Sequence, residues 1–226
     1  MMSTFSPHLE ILPEPQLLLW PKLRPIADLG FVLYGGTAIA LRLGHRASVD
    51  FDFFTERALD RPGLEGRLPF LRTAQVLQES PDTLTVLTSS DAANERPVKL
   101  SFFGSITFGR IGEPQWTDDG IVQVASLEDL LATKVKVLLQ RVEAKDYLDV
   151  AALLGNGVSL ARGLAAARSL FGPAFQPSES LKALVYFEGG DLNSLAETTK
   201  HLLIRAASAV EDLPSVTVVD KQLTVG

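Results

Sequence analysis

The chain has 226 residues, 46% of them hydrophobic, with a formal net charge of −6 and no cysteine. That is enough apolar residue for one substantial core, alone or with a helical annex, and the missing cysteines exclude disulfides and thiolate metal sites. The acidic balance argues against a broad basic footprint for nucleic acid but allows a local basic patch, and three scattered histidines make a zinc cluster unexpected.

In chain order, the opening MMSTFSPHLEILPEP lacks a basic stretch followed by an apolar one, and every later apolar run breaks off well before membrane-spanning length. The expectation is a cytoplasmic protein with no membrane contact. Leu17, Leu18, Leu19, Leu23, Ile26 and Ala27 keep a helical spacing interrupted by Pro21 and Pro25, which predicts two short helical pieces covering one edge of a sheet. Phe31 to Tyr34 reads as a short buried strand stopping at Gly35-Gly36, where the backbone must turn tightly. Thr37 then opens a helix that Gly44 ends in a left-handed conformation. The polar loop His45-Arg46-Ala47-Ser48 leads into Val49-Asp50-Phe51-Asp52-Phe53-Phe54. Its period of two puts Asp50 and Asp52 on one strand face and Phe51 and Phe53 on the other.

Arg57 to Phe70 reads as a loop and weak helix. Three β-rich runs follow over 74–78, 83–88 and 97–103, with turn clusters at Ser80-Pro81-Asp82 and Ser89 to Asn94, and they extend the sheet as a meander. Residues 104–120 read as a loop and Ile121 to Val124 as a last strand. Helices then take over. Ser126 with Asp129 resembles a capping box opening a helix from Leu127 to about Val142, and further helices are expected over 145–154, 160–171, 181–186 and 192–210. The tail from Val216 is either an edge strand or unstructured. The expected division is 1–124 for an α/β core and 125–226 for a mainly helical region closing an active site.

The chemistry of the central stretch follows from charge. Adjacent carboxylates repel unless a cation lies between them, and Mg²⁺ takes hard oxygen ligands, typically one or two carboxylates with substrate phosphates. The Gly35-Gly36-Thr37 turn offers N–H groups at a helix N-terminus, where phosphate is attracted. Alone, Gly-Gly is an ordinary turn and Asp-x-Asp a solvated strand face. Together, as strand-turn-helix-strand, they point to metal-assisted phosphate chemistry.

The string GGTAIALRLGHRASVDFDFF resembles the opening motif of the AbiEii/AbiGii toxin-type nucleotidyltransferases, a branch of the polymerase-beta-like nucleotidyltransferase superfamily, and the resemblance continues in ATKVKVLLQRVEAKDYLDVAALL. It implies an α+β nucleotidyltransferase fold, a mixed sheet with flanking helices followed by a helical C-terminal region. It also implies Mg²⁺ on Asp50 and Asp52, and nucleotide binding by Gly35, Gly36, Thr37, Arg46 and Ser48. The implied activity is transfer of a nucleotidyl group from an NTP to an acceptor such as RNA or a tRNA end, as the toxin of a toxin–antitoxin or phage-defence pair with a cognate antitoxin. Small-molecule nucleotidylation and a catalytically degenerate regulatory module are the competing readings; the intact Gly-Gly-Thr and Asp-x-Asp count against the latter.

Along the helix that leads into the second motif, Leu127, Leu131, Lys134, Leu138 and Arg141 fall on one stripe, and Lys136 on the opposite side. Taken alone, Lys134 is a lysine whose stem covers apolar surface. The resemblance instead places Lys134 and Arg141 in the active site and counts Lys145-Asp146-Tyr147-Leu148-Asp149 with the catalytic set; there the lysine could hold the nucleotide triphosphate as a point charge, and the arginine could grip phosphate or a carboxylate bidentately. Asp146 ranks above Asp149, either as a base or its orienting partner, or as a structural ion-pair partner of Lys134 or Arg141. One departure stands out. A third carboxylate usually comes from a neighbouring strand in that superfamily, and the run 98–103 offers Ser101.

Overall fold

The computed structural model describes residues 3–88 and 96–225; the turn expected over Ser89 to Asn94 lies outside the described residues. The chain divides into two compact units, Met1–Gly109 with Glu113–Ala125 and Lys221–Gly226, and Arg110–Gly112 with Ser126–Asp220.

The first unit is α+β. In order it contains β1 (Thr4–Phe5), α1 (Glu14–Leu19), α2 (Pro25–Asp28), β2 (Val32–Tyr34), α3 (Gly35–Leu43), β3 (Asp50–Phe54), α4 (Arg61–Arg67), β4 (Gln75–Ser80), β5 (Thr83–Leu87), β6 (Lys99–Phe103), β7 (Gln115–Thr117) and β8 (Gln123–Val124). Among the described residues these strands form one mixed sheet in the order β1-β7-β8-β2-β3-β6-β5-β4. The expected meander is β4-β5-β6, antiparallel throughout, and it joins the sheet through a parallel pairing of β6 with β3. The 104–120 stretch is not all loop, because β7 pairs antiparallel with β8 and parallel with the short β1. A three-residue strand between two partners is stabilised by its neighbours rather than by its own pattern. Pro21 and Pro25 cut the first helical stretch into three pieces, with a 3₁₀ turn at Trp20–Leu23 between α1 and α2.

One sheet face carries the core. Phe51, Phe53, Leu100, Phe102, Leu33, Leu84 and Val86 are buried, with Phe53 stacked on Phe102 at 5.6 Å and Phe31 edge-on to Phe102 at 5.6 Å. The other face carries Asp50, Asp52 and Phe54 from β3 and Lys99, Ser101 and Phe103 from β6, since paired residues of neighbouring strands share a face.

The second unit is helical: α5 (Leu127–Val137), α6 (Ala144–Gly155), α7 (Leu160–Phe171), α8 (Pro177–Leu184) and α9 (Glu197–Ser208). The N-cap expected at Ser126 forms, with the Asp129 N–H donating to Ser126 Oγ at 3.1 Å, while the Asp129 carboxylate accepts from the Ser126 hydroxyl and from the Ile111 and Gly112 N–H groups. Gly163 lets α7 lie close against α5, because a Cβ there would overlap the side chain of Leu131. α5 ends five residues earlier than expected, in a turn over 138–140, so Leu138 is buried while Leu139 is exposed, and Arg141 lies beyond the helix. The apolar spacing ran on into a turn whose job is to reverse the chain for α6. The 192–210 helix likewise splits into a 3₁₀ turn at Leu192–Ser194 and α9. Among the described residues the tail forms no strand beyond an isolated bridge of Asp220 with Arg110. No single helix among the described residues is long and apolar enough to cross a membrane.

Candidate active site

The first candidate cluster is built where β2 turns into α3. Tyr34, in extended conformation, is the N-cap, and α3 begins at Gly35 rather than Thr37 because Gly35 takes a φ of 74° that redirects the chain in one residue. Gly44 closes the helix in the left-handed region, as expected. The first-turn N–H groups of α3 have no carbonyl within the helix to bond, so its start presents donors that an anion can accept. A Cβ at Gly35 would overlap Oδ2 of Asp52, so the turn and the carboxylate are in close approach.

Thr37 and Ser48 are buried at 1% and 7% exposure, and their hydroxyls are used internally. The Thr37 hydroxyl donates to the Asp50 carbonyl and lies 2.8 Å from Ser48 Oγ. Their side chains therefore tie the start of α3 to the start of β3. What is left at Thr37 for a phosphate is its backbone N–H. Arg46 folds back on the chain, donating to the carbonyl of Ala47 at 2.9 Å.

Across the β3–β6 ladder, Asp50 faces Lys99 and Asp52 faces Ser101. Ser101 thus occupies the position on the neighbouring strand beside Asp52, as its place in the sequence led us to expect. Lys99 was not foreseen: its Nζ lies 3.6 Å from Asp50 Oδ2. Nothing in local sequence pairs β6 with β3, so only the register brings the lysine to the acid. The donor set fits one hard divalent cation: two carboxylates two residues apart on one strand face, with the turn at Gly35 against one of them. Among the described residues no three His, Asp or Glu are grouped to hold a metal, so phosphate oxygens or water would complete the shell.

The second cluster lies in the helical unit. Lys134 on α5 puts Nζ 2.7 Å from Asp146 Oδ1 and 2.6 Å from Asp149 Oδ2, with both carboxylates fully buried and the lysine nearly so. Arg141, from the turn after α5, grips Asp146 through Nε at 2.7 Å and through its terminal nitrogen at 3.0 Å. Burial raises the Asp146 pKa, but the Arg141 fork and the Lys134 ammonium outweigh it and hold the carboxyl below the usual range. A carboxylate so held is a poor base. The expected ion pairs of Asp146 with Lys134 and Arg141 are both formed, as its structural reading requires, and they count against Asp146 as the base. Asp149, ranked below it, shares Lys134 equally; its three-residue offset from Asp146 already put both on one helix face.

Asp129 is the remaining buried acid of this unit. It accepts from the Ile111 N–H at 2.7 Å, the Gly112 N–H at 3.0 Å and the Ser126 hydroxyl at 2.6 Å, and burial raises its pKa despite these bonds. Its work is structural, fixing the 110–112 strap to the start of α5.

A family model described as "Nucleotidyl transferase AbiEii toxin, Type IV TA system" matches residues 22–203. Among curated proteins, "Uncharacterized protein aq_aa25" of Aquifex aeolicus (strain VF5) is 33% identical over 122 residues, 53% of this chain and 55% of that protein. The chain thus spans about half the length of that relative.

Proposed function

We propose nucleotidyl transfer from an NTP on one premise: this chain belongs to the AbiEii nucleotidyl transferase toxin family, whose description places it in type IV toxin–antitoxin systems. The observation that carries the reading is the close approach of the Gly35 turn to Asp52, with Asp50 on the same strand face. Phosphate-binding N–H groups and carboxylates are thereby held together. Asp50 and Asp52 would hold Mg²⁺, which when bound would neutralise phosphate charge in the transition state. The chain's own residues do the rest. The N–H groups of Gly35, Gly36 and Thr37 bind and orient triphosphate oxygens. Thr37 and Ser48 fix that turn through their buried hydroxyls. By its place in the family's motif Lys134, held by Asp146 and Asp149, is our candidate for a further triphosphate ligand.

The acceptor we propose is an RNA end, with a cognate antitoxin as the biological partner. The test is incubation of the purified chain with Mg²⁺, total RNA and each labelled NTP in turn, with Asp50→Asn as control. Label entering RNA from one or more NTPs, and lost in the control, is the expected result. No transfer with any NTP, or transfer undiminished in the control, would overturn the reading; label appearing on a small molecule would move the acceptor class while leaving the transfer chemistry in place.

A further inference from the structure

Lys99 stands in an unusual position for a metal-binding strand pair. It is in register with Asp50 across β3 and β6, shares the sheet face of both carboxylates, and lies 3.6 Å from Asp50 Oδ2. Both side chains are partly open, at 40% and 35% exposure, so the pair contributes little to folding and both groups are accessible to a ligand. Beside Asp52, where a further acid would strengthen the hold on a bare cation, the chain has the neutral Ser101. An ammonium at this distance repels a divalent ion and attracts a polyanion. A nucleoside triphosphate that already carries its cation is still a net anion.

We propose that Lys99 makes metal binding depend on the nucleotide: it keeps the free divalent cation off Asp50, favours the metal–triphosphate complex, and holds a phosphate oxygen once that complex is in place. This rests on the assignment of Asp50 and Asp52 to the metal and of the α3 start to phosphate. It makes Lys99 a phosphate ligand and gives its ion pair with Asp50 a purpose that stability does not explain.

The experiment is Mn²⁺ binding to the full chain, read by electron paramagnetic resonance, alone and with an α,β-non-hydrolysable analogue of each ribonucleoside triphosphate. Wild type, Lys99→Met, Lys99→Arg and Asp52→Asn are compared, with melting curves showing each is folded. Lys99→Met should bind Mn²⁺ alone about tenfold more tightly, and Mn²⁺ with the analogue about tenfold more weakly, while Lys99→Arg stays close to wild type in both. Opposite signs cannot come from a general loss of structure. Both affinities unchanged in Lys99→Met, or both shifted the same way, would overturn the role of Lys99. If Asp52→Asn binds Mn²⁺ and analogue like wild type, the site assignment itself fails; if it loses them while Lys99→Met is silent, only the inference about Lys99 does.

Discussion

Gly35 and Asp52 are in such close approach that a single methyl group at position 35 would occupy the space of the carboxylate oxygen Oδ2. The backbone of Gly35 also sits at a φ of 74°, which side chains with a Cβ rarely adopt. Gly35→Ala should therefore suffer twice, losing about 1–3 kcal/mol of stability from the strained conformation and displacing Asp52 from its place beside the turn. Calorimetric melting together with binding of an NTP analogue checks this. A variant that melts and binds like wild type would remove the turn from the phosphate site.

Asp50→Asn and Asp52→Asn should reduce transfer by at least about a hundredfold, since each removes a proposed metal ligand. In Asp50→Asn stability should barely move, because the Asp50–Lys99 pair is half-exposed and exposed pairs contribute about 0–1 kcal/mol. Initial rates at saturating NTP and thermal melts, measured on the same preparations, separate the two effects. Retained turnover in both variants would refute the carboxylate assignment.

Lys134→Met gives a different picture. Its apolar stem suits the site, yet the loss of Nζ leaves Asp149 and part of Asp146 without their shared cation in a region closed to water. Breaking a buried pair from one side costs about 3–5 kcal/mol, so a large fall in denaturant midpoint is expected whether or not Lys134 touches phosphate. The triple variant Lys134→Met, Asp146→Asn, Asp149→Asn should recover part of that stability while leaving NTP affinity low. Full recovery of affinity in the triple variant would assign Lys134 to structure alone.

The acid dependence of stability has a definite sign. The folded-state pKa of Asp146 is depressed, so its ion pairs contribute fully above the unfolded value of about 3.9 and the contribution disappears as pH falls through the lower folded value. Asp129 acts in the opposite direction: burial raises its folded pKa, so it stabilises the fold more as pH drops below that raised value. Urea denaturation between neutral pH and the acid limit should show a smaller acid loss in Asp146→Asn than in wild type, and a larger one in Asp129→Asn. An unchanged acid limb in Asp146→Asn would show that its ion pairs do not govern acid unfolding.

Ser101→Asp tests the missing third carboxylate. The variant places a third acid in register with Asp52 at a buried position, 3% exposed in the serine form. Without a divalent ion it should melt lower than wild type, and with Mn²⁺ it should recover, because an ion that binds only the folded chain stabilises it by mass action. A melting temperature insensitive to Mn²⁺ would show that position 101 does not face the ion.

Features that depend on short-range periodicity and turn chemistry were legible in the order of the residues alone. The alternation Asp50-Phe51-Asp52-Phe53 divided acids from core because strand side chains change face at every residue. Gly35-Gly36 marked the turn, Gly44 the helix end, and Ser126 with Asp129 the cap of α5, each through a local conformational rule. Long-range register decided the rest. Lys99 reaches Asp50 only because β6 pairs in parallel with β3, across an intervening hairpin that no local pattern aligns with it. The end of α5 at Val137, and with it the freedom of Arg141 to grip Asp146 from a turn, follows from packing α6 back onto α5, while the leucine spacing ran on past the break. Lys134, legible as either a snorkelling stem or a ligand, became the shared cation of two fully buried acids only when that packing removed water from around it.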